Sequence, residues 1–157
     1  MSRVPLSDGV DGPQIGVYSF GTQSSDKPVA QYEFDVSKLR DPQGQQQFKN
    51  RFGWDLEVRD WMKEDSRLRA LVQDCRLLAA DLLGQRPKGS GAAASISTWT
   101  SFSFKDFHGR WISPAVAELV ADALSADGWR VTVHHREQGL VTRKETTGGG
   151  RTPNRAL

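Results

Sequence analysis

The segment Ser95-Ile-Ser-Thr-Trp-Thr-Ser-Phe-Ser-Phe-Lys-Asp-Phe-His-Gly-Arg-Trp-Ile-Ser-Pro-Ala-Val-Ala-Glu118 predicts a β-strand, then a polar loop, then the start of a helix. The loop contains Lys105, His108 and Arg110, and Ser113-Pro114 opens the helix. Backbone N–H groups at a helix N-terminus are unpaired and carry the positive end of the helix dipole, so they attract anions. The segment therefore predicts an α/β fold with a phosphate site where this helix begins.

Segments with strand patterns alternate along the chain with segments of helical periodicity. Runs rich in apolar and aromatic residues predict strands at 15–20, 29–36, 92–99 and 129–134. Apolar residues at three- and four-residue steps predict helices at 66–83 and 114–126, and Asp55 is a plausible N-cap for a shorter helix at 55–65. This order implies parallel strand pairs joined by right-handed crossovers.

We therefore predict an α/β domain at 14–138, with a small, mostly parallel sheet of about four strands and helices packed on it. The first 13 residues are rich in Ser, Asp, Gly and Pro and show no periodicity, so 1–13 is predicted to be a disordered leader. Three successive glycines after Thr147 predict that 139–157 is a flexible basic tail.

The positive charge of the chain is concentrated in that tail. Residues 139–157 contain four basic side chains and one acidic side chain, which leaves 17 of the 21 basic and 18 of the 19 acidic residues elsewhere. A neutral body argues against a domain with a broad basic face for nucleic acid. RNA binding, if present, is predicted to run through the tail and to be weak and salt-sensitive.

Cysteine content and hydropathy limit the cellular compartment and the kinds of metal or disulfide site that we expect. The single cysteine, Cys75, excludes a disulfide framework and a cysteine metal site, and it lies on the apolar stripe of a predicted helix. Neither a run long enough to span a bilayer nor a secretory signal is visible, so we expect a cytoplasmic protein without a membrane partner. The three histidines lack spaced carboxylates, so we expect neither a metal nor a cofactor.

Polar residues at the predicted strand ends form the candidate site, because α/β sheets bind ligands outside the carboxyl ends of their strands. His108, Arg110 and Ser113 are predicted to make the main contacts with a phosphate group. The supporting candidates are Ser19, Asp35, Thr100, Ser101, Lys105 and His135.

Two other interpretations of the loop remain open. It can be an ordinary solvated loop, since only Gly109 permits close backbone approach and neither a P-loop nor a dinucleotide fingerprint is present. It can also belong to a phosphotransferase or phosphohydrolase in which His108 is the acid/base and Asp35 or Asp106 is its partner. The chain shows no clear nucleophile, which favours binding over catalysis.

Several short motifs occur in a distinctive order: Tyr18-Ser-Phe-Gly-Thr22, Phe34-Asp-Val36 with Asp41-Pro42, Gly53-Trp-Asp-Leu-Glu-Val58, the His108 loop with its helix, and His134-His-Arg136. Their order and spacing over 15–137 resemble the C-terminal domain of the RapZ family, bacterial RNase adapter proteins. The family's Cys-Thr-Gly-Gly loop is replaced here by a longer one without those glycines, and the arginine after Phe-Asp-Val is Ser37.

The resemblance implies a small α/β domain that binds a phosphorylated ligand, glucosamine-6-phosphate in RapZ itself, and that contacts RNA or an RNA-processing protein. It carries over phosphate contact by His108, Arg110 and Ser113, whereas the sugar specificity does not carry over. Full-length members have an N-terminal P-loop ATPase domain, whose motif is missing here, so we expect a stand-alone version. The expected function is a regulatory domain that binds a phosphosugar or a nucleotide.

Overall fold

A computed structural model describes residues 14–23, 27–84 and 99–144 of the 157-residue chain. Within these ranges a five-stranded sheet has the order β2-β3-β1-β4-β5. The strands are β1 (Gln14–Gly21), β2 (Tyr32–Asp35), β3 (Trp99–Asp106), β4 (Arg130–His135) and β5 (Leu140–Lys144). The α-helices of the described part are α1 (Leu56–Met62), α2 (Ser66–Gly84) and α3 (Ile112–Ala126), and short 3-10 turns lie at Pro42–Gly44 and Gln46–Phe48.

The first four strands are parallel and the fifth is antiparallel. Strand β1 lies at the centre, where Val17 pairs with Phe102 of β3 on one side and with Val133 of β4 on the other. Strand β2 continues the sheet beyond β3 in the parallel sense, and β5 pairs with β4 in the antiparallel sense. The predicted α/β fold with a mostly parallel sheet is confirmed.

The core lies between one face of this sheet and the helices. Side chains alternate across a strand, so Ile15 and Val17 of β1 share the inner face with Phe102 and Phe104 of β3, and all four are fully buried. Helix α3 contacts β1, β3 and β4, and it also packs against α1 and α2. Because α3 is covered on several sides, its buried residues run without interruption over 112–121.

The structure corrects the predicted position of the third strand. The pattern places this strand at 92–99 and a loop after it, whereas β3 spans Trp99–Asp106. Phe102 and Phe104 alternate with Ser101 and Ser103, which is the pattern of a strand. The hydroxyl side chains led instead to the prediction of a polar loop. Residues 92–98 lie outside the described part of the chain.

The structure also differs from the prediction of a flexible segment immediately after residue 138. The chain turns at Gly139, where φ is +65°, and Leu140–Lys144 then forms β5. The predicted leader, 1–13, and the remainder of the tail, 145–157, lie outside the described residues. None of the helices in the described ranges is both long and apolar enough to cross a lipid bilayer.

Cys75 provides a test of how tightly the α2 stripe is packed. The side chain is fully buried in the core, and burial together with the nearby Asp74 raises the pKa of its thiol to about 12. Because the thiolate is the reactive form, we expect iodoacetamide at pH 8 to leave Cys75 unmodified in the native protein and to label it fully in guanidinium chloride. Mass spectrometry of the two samples checks this, and rapid labelling of the native protein would contradict it.

Candidate functional site

A cavity lies at the carboxyl end of the parallel strands. The chain leaves β1 towards β2 and leaves β3 towards β4, so the two connections run in opposite directions from neighbouring strands. Ligands of α/β sheets bind in the crevice that such a reversal creates. The cavity has a volume of about 440 Å³, and its lining residues are Gln43, Phe52, His108, Arg110, Trp111, Glu137 and Gln138.

The carboxylate of Asp106 occupies the amino-terminal end of α3. This side chain ends β3, is 5% exposed, and accepts hydrogen bonds from the N–H groups of Gly109 and Ser113 and from the Ser113 hydroxyl (3.2 Å). Burial raises the pKa of Asp106, and these hydrogen bonds oppose the rise. This helix terminus was predicted to bind a phosphate group, whereas in the structure a carboxylate of the protein itself is bound there.

Ser113 therefore supports the loop from within. It is fully buried, and its hydroxyl contacts Asp106 and the carbonyl oxygen of Phe20. Gly109, with φ of +71°, makes the turn that brings its own N–H group onto Asp106. Three bonds to one carboxylate thus fix the loop that carries His108 and Arg110.

Arg110 reaches the cavity between two aromatic rings. The central carbon of its guanidinium lies 4.8 Å from the ring centroid of Phe52 and 4.5 Å from that of Trp111, and one terminal nitrogen donates to the carbonyl oxygen of Lys49 (3.3 Å). His108 is exposed at the same cavity, with its ring edge-on to Phe107 at 4.7 Å. The structure thus brings together two of the three residues predicted to make the main contacts.

Three buried polar atoms of the cavity residues have no hydrogen-bond partner: Nε of Arg110, Nε1 of Trp111 and Oε1 of Gln138. The Gln138 amide nitrogen donates to the carbonyl oxygen of Gly109 (2.9 Å), which leaves its oxygen as the unpaired atom. A buried polar group without a partner costs about 1–3 kcal/mol. Two donors and one acceptor on residues that line the cavity therefore have no partner within the described part of the protein.

Ser19 and His135 lie in the core rather than in the cavity wall. The Ser19 hydroxyl is 2.7 Å from Nδ1 of His135, and Nε2 of His135 is 2.8 Å from a carboxylate oxygen of Glu118. A carboxylate only accepts, so Nε2 carries a proton, and in the neutral ring the hydroxyl donates to Nδ1. Both predicted residues thus belong to a buried hydrogen-bonded chain.

Charged groups extend this series of hydrogen bonds to Lys144 on β5. Lys144 donates to the other oxygen of Glu118 (2.7 Å) and to Asp122 (2.7 Å), and Arg59 pairs with Asp122 at 2.8 Å. Burial alone would raise the pKa of Glu118, but the hydrogen bond from His135 and the charge of Lys144 lower it to about 2. Lys144 is 7% exposed, so one of the four tail cations expected to serve RNA is used inside the fold.

The other predicted residues are not among those that line the cavity. Thr100 and Ser101 pair with Ile15 and Gly16 near the amino-terminal end of the sheet, because β3 begins later than predicted. Lys105 forms an ion pair with Glu33 (3.1 Å), and the exposed Asp35 accepts from the N–H of Ser37 (2.9 Å). Among the described residues no group of three or more metal-ligating side chains is gathered.

The aromatic part of the site was not predicted from the sequence. Neither Phe52 nor Trp111 was among the predicted site residues, although both rings contact the guanidinium of Arg110. Glu137 and Gln138 were taken as the end of the ordered pattern. A usable signal was present for Asp106, since an aspartate three residues before a glycine is typical of a side chain that binds turn backbone.

The chain is similar in sequence to known proteins. The sequence model of the RapZ C-terminal domain matches residues 13–139 of this chain. A nucleotide-binding protein of Cereibacter sphaeroides (strain ATCC 17025 / ATH 2.4.3) is 29% identical over 123 residues, which are 78% of this chain and 39% of that protein. The chain therefore spans about two fifths of the length of this relative.

The charge of Glu118 is expected to make a measurable contribution to stability. Its folded pKa of about 2 lies below the ordinary 4.5, so its contribution is present above pH 4.5 and is lost as the pH falls towards 2. At 1.36 kcal/mol per pKa unit this amounts to ~3 kcal/mol. We expect Glu118→Gln to destabilise the protein by about 3–5 kcal/mol at pH 7, because it breaks a buried ion pair.

Urea unfolding between pH 2 and pH 7 measures both effects. Glu57→Gln is the matched control, since Glu57 forms an exposed pair with Arg51 and is expected to contribute little. A Glu118→Gln variant as stable as the wild type, or with the same loss of stability in acid, would show that the network is not ionised as described.

Asp106→Asn is expected to loosen the loop without unfolding the domain. The amide retains one acceptor oxygen but places an NH₂ donor against backbone N–H donors, which costs about 1–3 kcal/mol. The N–H groups of Gly109 and Ser113 should then exchange with deuterium faster, as measured by NMR. Asp35→Asn, at the exposed end of β2, should leave both rates unchanged, and unchanged rates in Asp106→Asn would disprove this role.

Proposed function

Because this chain belongs to the RapZ C-terminal domain family, we propose that it is a regulatory domain that binds a phosphorylated small molecule, a phosphosugar or a nucleotide, in the cavity beside Arg110. The observation that carries the proposal is the set of three buried, unpartnered polar atoms on Arg110, Trp111 and Gln138. A phosphate ester offers oxygens to the two donors, and a hydroxyl or amine on the same molecule suits the acceptor on Gln138.

Electrostatics favour the outer side of the loop as the place of the phosphate. The helix terminus is filled by the Asp106 carboxylate, and a second anion at the same N–H groups would be repelled. Arg110 supplies a permanent positive charge at the cavity, and the Glu137 carboxylate in the same lining is engaged by the N–H group of Gly21 (2.9 Å). The relative in Cereibacter sphaeroides, named a nucleotide-binding protein, supports a nucleotide as one bearer of the phosphate.

The contacts of the two aspartates favour binding over catalysis. An acid/base role for His108 needs a group that orients the imidazole. Asp106 accepts hydrogen bonds from Gly109 and Ser113, and Asp35, the last residue of the edge strand β2, accepts one from the N–H group of Ser37. Turnover of a phosphomonoester or ATP that disappears in His108→Ala would overturn this part of the proposal.

Calorimetry on the full chain tests the proposed site. A panel of hexose phosphates, nucleoside monophosphates and inorganic phosphate is titrated into the wild type and into Arg110→Ala. A charge-assisted hydrogen bond is worth about 1.5–3 kcal/mol, so the variant should bind roughly 10- to 150-fold more weakly.

Arg76→Ala is the control for the loss of a positive charge. Arg76 pairs with Asp127 at the carboxyl end of α3, and the cavity lies at the other end of this helix. It should bind like the wild type. Equal affinity of Arg110→Ala and the wild type for every ligand that binds would refute the site.

A further inference from the structure

We propose that residues 49–54 form a clamp that fixes the guanidinium of Arg110 edge-on to the cavity, so that Phe52 and Trp54 are positioning residues for the ligand's phosphate. This inference rests on the proposed function, since it assigns Arg110 the role of anion ligand. The clamp itself is a property of the protein and can be tested without a ligand. Three independent sets of contacts carry the inference.

The first set docks the backbone of the clamp on the start of α3. The N–H group of Gly53 donates to the carbonyl oxygen of Arg110 (2.9 Å). A Cβ atom at position 53 would lie 2.0 Å from the carbonyl oxygen of Trp111 and 2.7 Å from the nitrogen of Ala115. Only glycine can approach this closely, so the clamp is seated directly against the residue that it holds.

The second set holds the Arg110 side chain. Phe52 covers one part of the guanidinium and Trp111 another, at 4.8 and 4.5 Å, while the carbonyl oxygen of Lys49 accepts from a terminal nitrogen. With aromatic rings over the guanidinium, a ligand is left to bind in the plane of the group, through its N–H edge. In-plane bonding is how arginine binds phosphate oxygens in pairs.

The third set anchors the clamp in the core. The ring of Phe52 stacks on that of Trp54, with 4.4 Å between centroids and an angle of 3°, and Trp54 lies 5.1 Å from the ring of His135. His135 is itself fixed by Ser19 and Glu118, at 2.7 and 2.8 Å. A continuous column of planar groups therefore connects Arg110 to a fully buried hydrogen-bonded network.

Such a column reduces the conformational freedom that Arg110 loses when a ligand binds. An unsupported arginine side chain must be ordered at the moment of binding, and that cost weakens the complex. A guanidinium already held by Phe52 and Lys49 avoids most of this cost. Phe52 and Trp54 are thus expected to influence the ligand's affinity through the position that they give to Arg110.

The test uses Phe52→Leu, which keeps an apolar side chain but removes the ring, and Phe52→Tyr, which restores the ring. Inorganic phosphate is the calorimetric probe. Loss of one cation–π contact of about 0.5–2 kcal/mol predicts roughly 2- to 30-fold weaker binding by Phe52→Leu, with recovery in Phe52→Tyr. Phe107→Leu is the matched control, because Phe107 is exposed beside His108 and outside the column.

The second readout needs no ligand. Phenylglyoxal modifies accessible arginines, and peptide mass mapping gives a rate for each one. Arg110 should react more slowly than the exposed Arg51 in the wild type, and its rate should rise in Phe52→Leu but not in Phe52→Tyr or Phe107→Leu. If Phe52→Leu fails to fold, the comparison of the Arg110 and Arg51 reaction rates in the wild type still tests the clamp.

The two readouts separate the two proposals. A faster Arg110 reaction in Phe52→Leu, together with no phosphate binding by the wild type, supports the clamp and contradicts the proposed function. Wild-type Arg110 that reacts as fast as Arg51, or at an unchanged rate in Phe52→Leu, refutes the clamp whatever the calorimetry shows.

Discussion

The buried carboxylate of Asp106 at the start of α3 is the interaction on which the site depends. It joins the last residue of β3 to the turn at Gly109 and to the first turn of the helix at Ser113. The residues between these points, among them His108 and Arg110, have their positions set by that junction. The last residue of the preceding strand thus supplies the negative charge that stabilises the amino-terminal end of α3. The loop that this carboxylate holds forms a wall of the cavity.

The fold was predictable because its pattern is carried by local periodicity. The apolar stripes of α2 and α3 and the alternation in β1 and β4 are visible in the sequence, and right-handed crossovers leave few ways to connect them. The third strand was misplaced because Ser101 and Ser103 look like loop residues until the buried Phe102 and Phe104 between them are counted. Strand β5 was missed because its pairing with β4 depends on a partner in space.

The candidate site was predictable only in part, since it is assembled from distant segments. His108 and Arg110 could be found because they precede a helix whose first turn contains Ser113-Pro114. The binding of the Asp106 carboxylate at the helix terminus depends on the geometry of the loop. The contact of Phe52 with Arg110 depends on how a segment some sixty positions earlier docks on α3. Ser19 and His135 were rightly placed at strand ends, but whether such side chains face the core or the cavity is decided by packing.

The pairing of β1 has a consequence for the order of folding. The first described strand is the centre of the sheet, and its neighbours come much later in the chain: Ser19 and its partner His135 are 116 positions apart. Contacts this distant in sequence are slow to form, because a long loop must close before they contribute. During synthesis β1 therefore remains unpaired, with apolar residues on both of its faces, until β3 and then β4 have emerged. The chain is expected to fold late and cooperatively, and to expose an aggregation-prone strand until then.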